Sequence, residues 1–343
     1  MFHKNTFLIV SLLLVSLKGG AFAQLNLGGS SDSKPAKSGK VSVSQQLDED
    51  NGPKLGGSQT TECTAGIRLT GGSGDAGKLY VTLVAPMNWP EQTVKIKRED
   101  IPPSVKVTYQ DVGGGSFTGA KLMAISIPSL PAGSMMDVLV TFEVTRSEQI
   151  APIDTAQYSI MDTDKLPRDV KIHLLPSIKI ESTHKPFKKI FKEITEDKET
   201  GWEKVEAVYN YTREKVQYRE ELKSRDVQGA VAAFKSGEGD CEDLCSLFIA
   251  LCRAGGIPAR TVFVKGHCYA EFYLVDENKE GHWFPCQVAG SYAFGSMPDT
   301  RYIVQKGDNF VIDKEKMRFV KSIFTGKIAG DSTPPRYQFV EIR

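Results

Sequence analysis

The stretch GDCEDLCSLFIALCRAGGIPAR, Gly239 to Arg260, decides how this chain is read. From Leu244 to Cys252 it is apolar or small, broken only by Ser246, which predicts a buried helix stopped by Gly255-Gly256 and Pro258. Its start is different in character. Asp240 suits an N-cap, and Asp243 at N3 can reach back as in a capping box. That puts Cys241 at the first helical position, where unsatisfied N–H groups and the positive end of the helix dipole favour thiolate over thiol. A buried free cysteine is ordinarily a small hydrophobe. The flanking acids oppose the thiolate in part, so a second cation would help, and the nucleophile reading gains its weight from the residues that accompany it.

Cys241 then needs a base. After the helix come three strand candidates, ARTVFV, HCYAEFYL and HWFPCQ, with Lys265-Gly266 and VDENKEG as turns. His267 heads the second strand, where its ring can face the helix mouth, take the thiol proton and return it to a leaving group. A third residue usually holds such a ring through its other N–H. Gln287 ends the third strand and can accept that bond, unless it is a plain strand-end glutamine. Pairing His267 with Gln287 sets Cys268 opposite Cys286. These two cysteines are open to core packing, to a cross-strand disulfide, or, with His282, to zinc. Pro285 weakens that register, since proline suits a bulge or edge. Tyr269 and Glu271 share the His267 face by strand alternation. Tyr269 either walls the acyl site or packs. Glu271 lies about 13 Å along the strand from His267, too far to orient it, and reads as an ion-pair partner for Arg260.

Upstream, the runs PFKKIFKEI and WEKVEAVYNYTREKVQY carry apolar residues three and four apart, and DVQGAVAAFKSG ends at Gly237; all three predict helices. Helices followed by strands make residues 184–343 an α+β unit. Residues 61–183 read instead as a β-sandwich-like domain of short alternating runs: KLYVTLVAP, TVKIKRE, VKVTYQDV, KLMAISIP, DVLVTFEV and VKIHLLPSIKIES. Residues 24–60, rich in Gly, Ser and Lys, read as a flexible linker. Residues 1–23 read as a signal peptide: Lys4, an apolar run from Phe7 to Leu17, and Ala21-Phe22-Ala23 before Gln24. This predicts a secreted or periplasmic protein cleaved after Ala23, with no membrane span in the mature chain.

Composition narrows the classes. With 43 Lys and Arg against 42 Asp and Glu, a nucleic acid is not expected as partner. Five of the six cysteines crowd between Cys241 and Cys286, unlike the spread of a disulfide scaffold. No Cys-x₂-Cys, His-Glu-x-x-His or calcium-loop pattern occurs, so neither a metal nor another cofactor is expected. Nothing in the residues sets an oligomeric state.

Three blocks together resemble the transglutaminase-like superfamily: Gly239-Asp240-Cys241 with RAGGIPAR from Arg253 to Arg260; His267, Tyr269, Glu271 and Tyr273; and the aromatic-proline strand WFPCQ. The resemblance runs from Trp202 to Gln287. It implies a papain-like fold, no cofactor, and a protein or peptide substrate attacked by Cys241 with His267 as base. It also implies supporting roles for Asp240, Arg260, Tyr269 and Glu271. The family's third catalytic residue is usually Asp, and Gln287 stands in that place. An amide can orient an imidazole but cannot stabilise its cation; in a serine enzyme that exchange costs about 10⁴ in turnover, and a cysteine, being more acidic, tolerates it better. The rival expectation is a binding module at the cell envelope that keeps the fold without the catalysis.

Overall fold

A computed structural model describes residues 51–342 apart from 115–116, 225, 313 and 329–331. The expected signal peptide and the linker up to residue 50 lie outside the described residues. The expected linker ends early, because β1 (Lys54–Thr70) already starts within it. Its first half buries little, which is why composition reads it as linker. It is held by the ladder to β6 (Met135–Ile150) and by threonine pairs across that ladder, Thr60 to Thr145 at 2.8 Å and Thr64 to Thr141 at 3.0 Å.

Among the described residues, two antiparallel four-stranded sheets come from β1 to β6 and the end of the chain. One has the order β17-β1-β6-β3 and the other β16-β2-β5-β4. The remaining strands are β2 (Ala76–Ala85), β3 (Gln92–Asp100), β4 (Lys106–Gly114) and β5 (Phe117–Leu130). Alternate residues turn inward, so Ile67, Val138 and Val140 of one sheet join Val81, Leu83 and Ile125 of the other in one continuous apolar core. Two sequence expectations differ here. Val170–Ser182 is not a strand: α1 (Arg168–Lys171) and a 3₁₀ turn at Ile172–Leu174 bury Val170 and His173, three residues apart, on one side. The stretch assigned to 184–343 also divides, since β16 (Ile323–Ile328) pairs with β2 and β17 (Arg336–Val340) with β1. Alternation in a short strand shows which face is buried, not which strand it joins.

The helices follow their periods. They are α2 (Lys185–Thr195), α3 (Gly201–Lys215), α4 (Ala230–Ser236) and α5 (Cys241–Ala254). A capping box between Thr200 and Glu203 starts α3, with bonds of 3.0 and 3.1 Å. A two-residue parallel ladder joins β7 (Gln217–Tyr218) to β8 (Glu238–Gly239) just before α5. Next comes an antiparallel five-stranded sheet, order β12-β11-β10-β9-β13. Its strands are β9 (Ala259–Val264), β10 (His267–Val275), β11 (Gly281–Gln287), β12 (Ala293–Phe294) and β13 (Ile303–Lys306). A small hairpin of β14 (Phe310–Ile312) and β15 (Glu315–Met317) completes the chain order. No described helix is long and apolar enough to cross a membrane.

The five-stranded sheet is covered on both faces. Cys268, Ala270, Phe272 and Leu274 of β10 join the apolar core that contains α5. The opposite face meets the strands of the first sheets across charge. There the buried Lys306 ammonium lies 2.7 Å from Glu91 and 2.5 Å from Glu271; Glu271 also takes Arg260 at 2.7 Å, and Arg146 donates to the Tyr269 hydroxyl at 3.1 Å. At the far end of α5, Arg253 reaches Asp308 at 2.8 Å and the Ala259 carbonyl at 2.7 Å, both buried. Paired charges of this kind tolerate burial, whereas a single one left behind does not.

Burial pushes the Glu271 carboxyl up, but Lys306 and Arg260 outweigh it and hold it at about 2 against an ordinary 4.5. A depressed folded value means stability present above the unfolded value and lost as pH falls through the folded one. The expected outcome is a thermal midpoint that drops between about pH 4.5 and 2. Glu271→Gln, which leaves buried Arg260 without its anion and Lys306 with Glu91 alone, should cost about 3–5 kcal/mol at pH 7. Calorimetry across pH checks both: the gap between wild type and variant should narrow below pH 4.5.

Candidate active site

The nucleophile position is built by local chemistry. Gly239 is required by close approach, since a Cβ there would meet the Asp243 Cβ at 2.6 Å. Asp240 accepts the N–H groups of Glu242 at 2.9 Å and Asp243 at 3.1 Å, and Asp243 accepts the N–H of Asp240 at 3.3 Å, completing the expected capping box. The other carboxylate oxygen of Asp243 takes the N–H groups of Gln228 at 2.8 Å and Gly229 at 3.0 Å, which fixes the turn into α4. Glu242 pairs with Arg318. All three acids around Cys241 are therefore engaged, and the like-charge opposition expected of them is reduced.

Cys241, His267 and Gln287 come together. The His267 Nε2 lies 3.2 Å from the Gln287 Oε1, which can only accept, so this nitrogen carries the proton and Nδ1 is left for the Cys241 thiol. The ring is close enough to that thiol to pull it toward the thiolate. Cys241 and Gln287 are 5% and 8% exposed, with the imidazole half-buried between them and solvent.

The strand register differs from the expected one by two residues. Ala270, not Cys268, stands opposite Cys286, and Pro285 pairs with Glu271 without a bulge. The turn sets this. Asp276 accepts the N–H groups of Asn278 at 2.8 Å and Glu280 at 3.0 Å, closing the hairpin at Val275–Gly281. A slip of two keeps every side chain on its face, so Gln287 still points toward His267. It does so from beyond the last paired residues and on a diagonal, which a glutamine is long enough to span. All six cysteines are free thiols. His282 bonds Asp276 at 3.1 Å. Among the described residues no cluster of three His, Cys, Asp or Glu side chains gathers as a metal site.

Cys268 has a place the sequence did not suggest. It lies against Cys241, and the Cys245 thiol donates to its carbonyl oxygen at 3.7 Å. The hydrogen bond with Cys268, and then burial, push the Cys241 thiol up, and His267 only partly pulls it back. The pull toward thiolate expected from the helix dipole is thus opposed by Cys268 and by burial.

The other expected residues divide. Glu271 binds Arg260 as expected, and Arg260 stacks 4.0 Å from the centre of the Trp283 ring. Tyr269 is fully buried against Arg146, so it packs and does not line the surroundings of Cys241. The mouth holds residues the sequence gave no signal for. Lys223 feels the Cys241 charge and bonds Glu220 at 2.7 Å; Glu220 and Asp299 feel His267. Asp299 is itself paired with Arg301. From α3, Tyr209 and Arg213 bond the backbone at Gln287, at 2.9 and 3.1 Å. In sequence these two are only polar positions of an amphipathic helix.

Comparison with known proteins agrees with the geometry. Residues 188–288 match the family model of the transglutaminase-like superfamily, a span that holds all three blocks. Of the solved structures, a candidate cysteine protease from Cytophaga hutchinsonii superposes with a TM-score of 0.54 at 16% identity, covering 85% of this chain and 93% of its own. A candidate protease from Parabacteroides distasonis matches at 13% identity and a TM-score of 0.27, over 67% of this chain and 47% of its own. No curated protein matches. The first likeness establishes the fold over most of the chain.

Removing the Cys268 thiol should release Cys241. In Cys268→Ala the leading cause of the raised thiol is gone, and alkylation of Cys241 at pH 7 should accelerate about tenfold for each tenfold gain in thiolate, less a modest loss of nucleophilicity. Site-resolved iodoacetamide labelling followed by mass spectrometry checks this; an unchanged rate would remove Cys268 from the account.

Proposed function

We propose that this transglutaminase-like domain is a thiol enzyme acting on amide bonds of proteins or peptides outside the cytoplasm, supported by a β-sandwich-like domain. The single observation that carries the reading is the His267 ring bonded to the Gln287 amide beside Cys241, whose thiol it influences. Cys241 Sγ attacks the amide carbonyl carbon while His267 Nδ1 takes its proton. The Cys241 N–H, outside the intrahelical bonds at the first helical position, contributes to holding the oxyanion. The carbon–nitrogen bond then breaks as His267 returns the proton to the leaving amine. The resulting thioester is resolved by water in hydrolysis or by an amine in transfer. Gln287 fixes the ring orientation throughout. Residues of this chain supply every step, with no cofactor called on.

With the thiol pushed toward its protonated form by Cys268 and burial, proton removal belongs to the attack itself, with His267 as the acceptor. The test is acyl-enzyme trapping with a p-nitrophenyl ester, read by release of nitrophenol and by mass on Cys241. Wild type should give a burst with one acyl group on Cys241, absent in Cys241→Ala and reduced at least 100-fold in His267→Ala. Adding a primary amine separates transfer from hydrolysis by the product formed. No acylation above the Cys241→Ala background would leave the fold as a binding module.

A further inference from the structure

We infer that Arg213, with Tyr209, is a positioning residue for Gln287: a clamp from α3 that lets a neutral glutamine serve where an acid is usual. The inference rests on the thiol-enzyme reading above. One guanidinium gathers the turn after β11, donating to the carbonyl oxygens of Gln287 at 3.1 Å, Val288 at 3.1 Å and Gly290 at 2.8 Å. The Tyr209 hydroxyl donates to the Gln287 carbonyl at 2.9 Å and accepts the Ala293 N–H at 3.2 Å, so β12 is tied to the same point. Val288 is fully buried, and a turn whose carbonyls converge there needs such a donor. The guanidinium is itself fixed by stacking on Tyr209 and Tyr292, and Tyr292 bonds Glu206 at 3.0 Å.

The clamp acts on Gln287 in two ways. It fixes the backbone from which the side chain starts, on the diagonal to His267. It also holds Gly290 with φ at 95°, beneath the glutamine amide; a Cβ at residue 290 would lie 3.7 Å from the Gln287 Nε2. An acid in this place would be drawn to the imidazole by charge and could tolerate a loose frame. A neutral amide makes a weaker bond that depends on alignment, and glutamine has three side-chain torsions to settle. The frame must then supply the alignment. Arg213 and Tyr209, four residues apart on one face of α3, do this without touching His267 or Cys241.

The experiment is the pH profile of Cys241 alkylation by iodoacetamide on the full chain, from pH 5 to 9, which needs no substrate. The variants are His267→Ala, Gln287→Ala, Arg213→Ala, Arg213→Lys, Tyr209→Phe and the Arg213→Ala/Gln287→Ala double. His267→Ala defines the His-dependent rate. Arg213→Ala should lower that rate on the order of 10- to 100-fold and give the same profile shape as Gln287→Ala. The double variant should be no slower than Gln287→Ala, since residues acting through one another are not additive. Arg213→Lys should recover part of the rate. If Arg213→Ala does not fold, Tyr209→Phe, which loses one hydroxyl, carries the same comparison against Gln287→Ala. A wild-type profile in the clamp variants, or losses that multiply in the double, would overturn the clamp while leaving the Cys–His pair intact. A His267→Ala profile equal to wild type would overturn the catalytic reading and the clamp with it.

Discussion

A helix buried along its length must satisfy its first N–H groups without water, and α5 does this through the reciprocal bonds of Asp240 and Asp243. The rest of the site follows from that constraint. Asp243 is a shared acceptor: one oxygen closes the cap, and the other holds the turn into α4. Gly239 is the residue that lets Asp243 come so close. Cys241 is at the helix mouth because the residue before it is the cap. Its neighbour Glu242 is drawn off by Arg318 from near the end of the chain. The acids that surround a nucleophile here thus belong to the scaffold that aims it.

A second balance sets the proton. The helix terminus and His267 favour thiolate, whereas Cys268 and burial favour thiol, and the latter prevail. This makes the neutral Gln287 coherent with its surroundings. In an enzyme that holds a thiolate–imidazolium pair before substrate binds, a carboxylate partner would add to the stability of the cation, although an amide can serve there too. Where Cys268 and burial oppose the thiolate, the cation belongs to the moment of bond formation. Orientation then matters more than charge, and an amide supplies orientation.

Much of this was legible because it is local. The cap at Asp240, the helical period through Cys252, the turn before His267 and the glutamine ending WFPCQ are all written within a few residues of where they act. The Arg260–Glu271 pair could be expected from strand alternation and from the distance of Glu271 from His267. What escaped is what depends on partners far along the chain. The β10–β11 register was set by the Asp276 turn, not by the residues to be paired, so Cys268 packed against Cys241 instead of facing Cys286. The strands at Ile323–Ile328 and Arg336–Val340 show their alternation but not their destination, which is back beside β2 and β1. Val170–Ser182 has a strand-like composition but folds as short helical turns up to Leu174, followed by a bridged turn at Ser177–Ile180. Tyr209 and Arg213 carry no motif, because what they bind is backbone seventy or more positions away.

The imidazolium that forms during attack is not left wholly without negative charge. Glu220, which opens a 3₁₀ turn, and Asp299 both feel His267, and that attraction is mutual. Each also has a cation of its own, Lys223 and Arg301, so the stabilisation is partial, and at exposed Glu220 it is further weakened by screening. A buried aspartate in place of Gln287 would stabilise the cation more, but it would also favour the resting ion pair that Cys268 and burial now oppose. The thiol-raising cysteine, the neutral amide and the already paired carboxylates therefore act in one direction. Each keeps charge out of the resting site and leaves it to appear with the substrate bound.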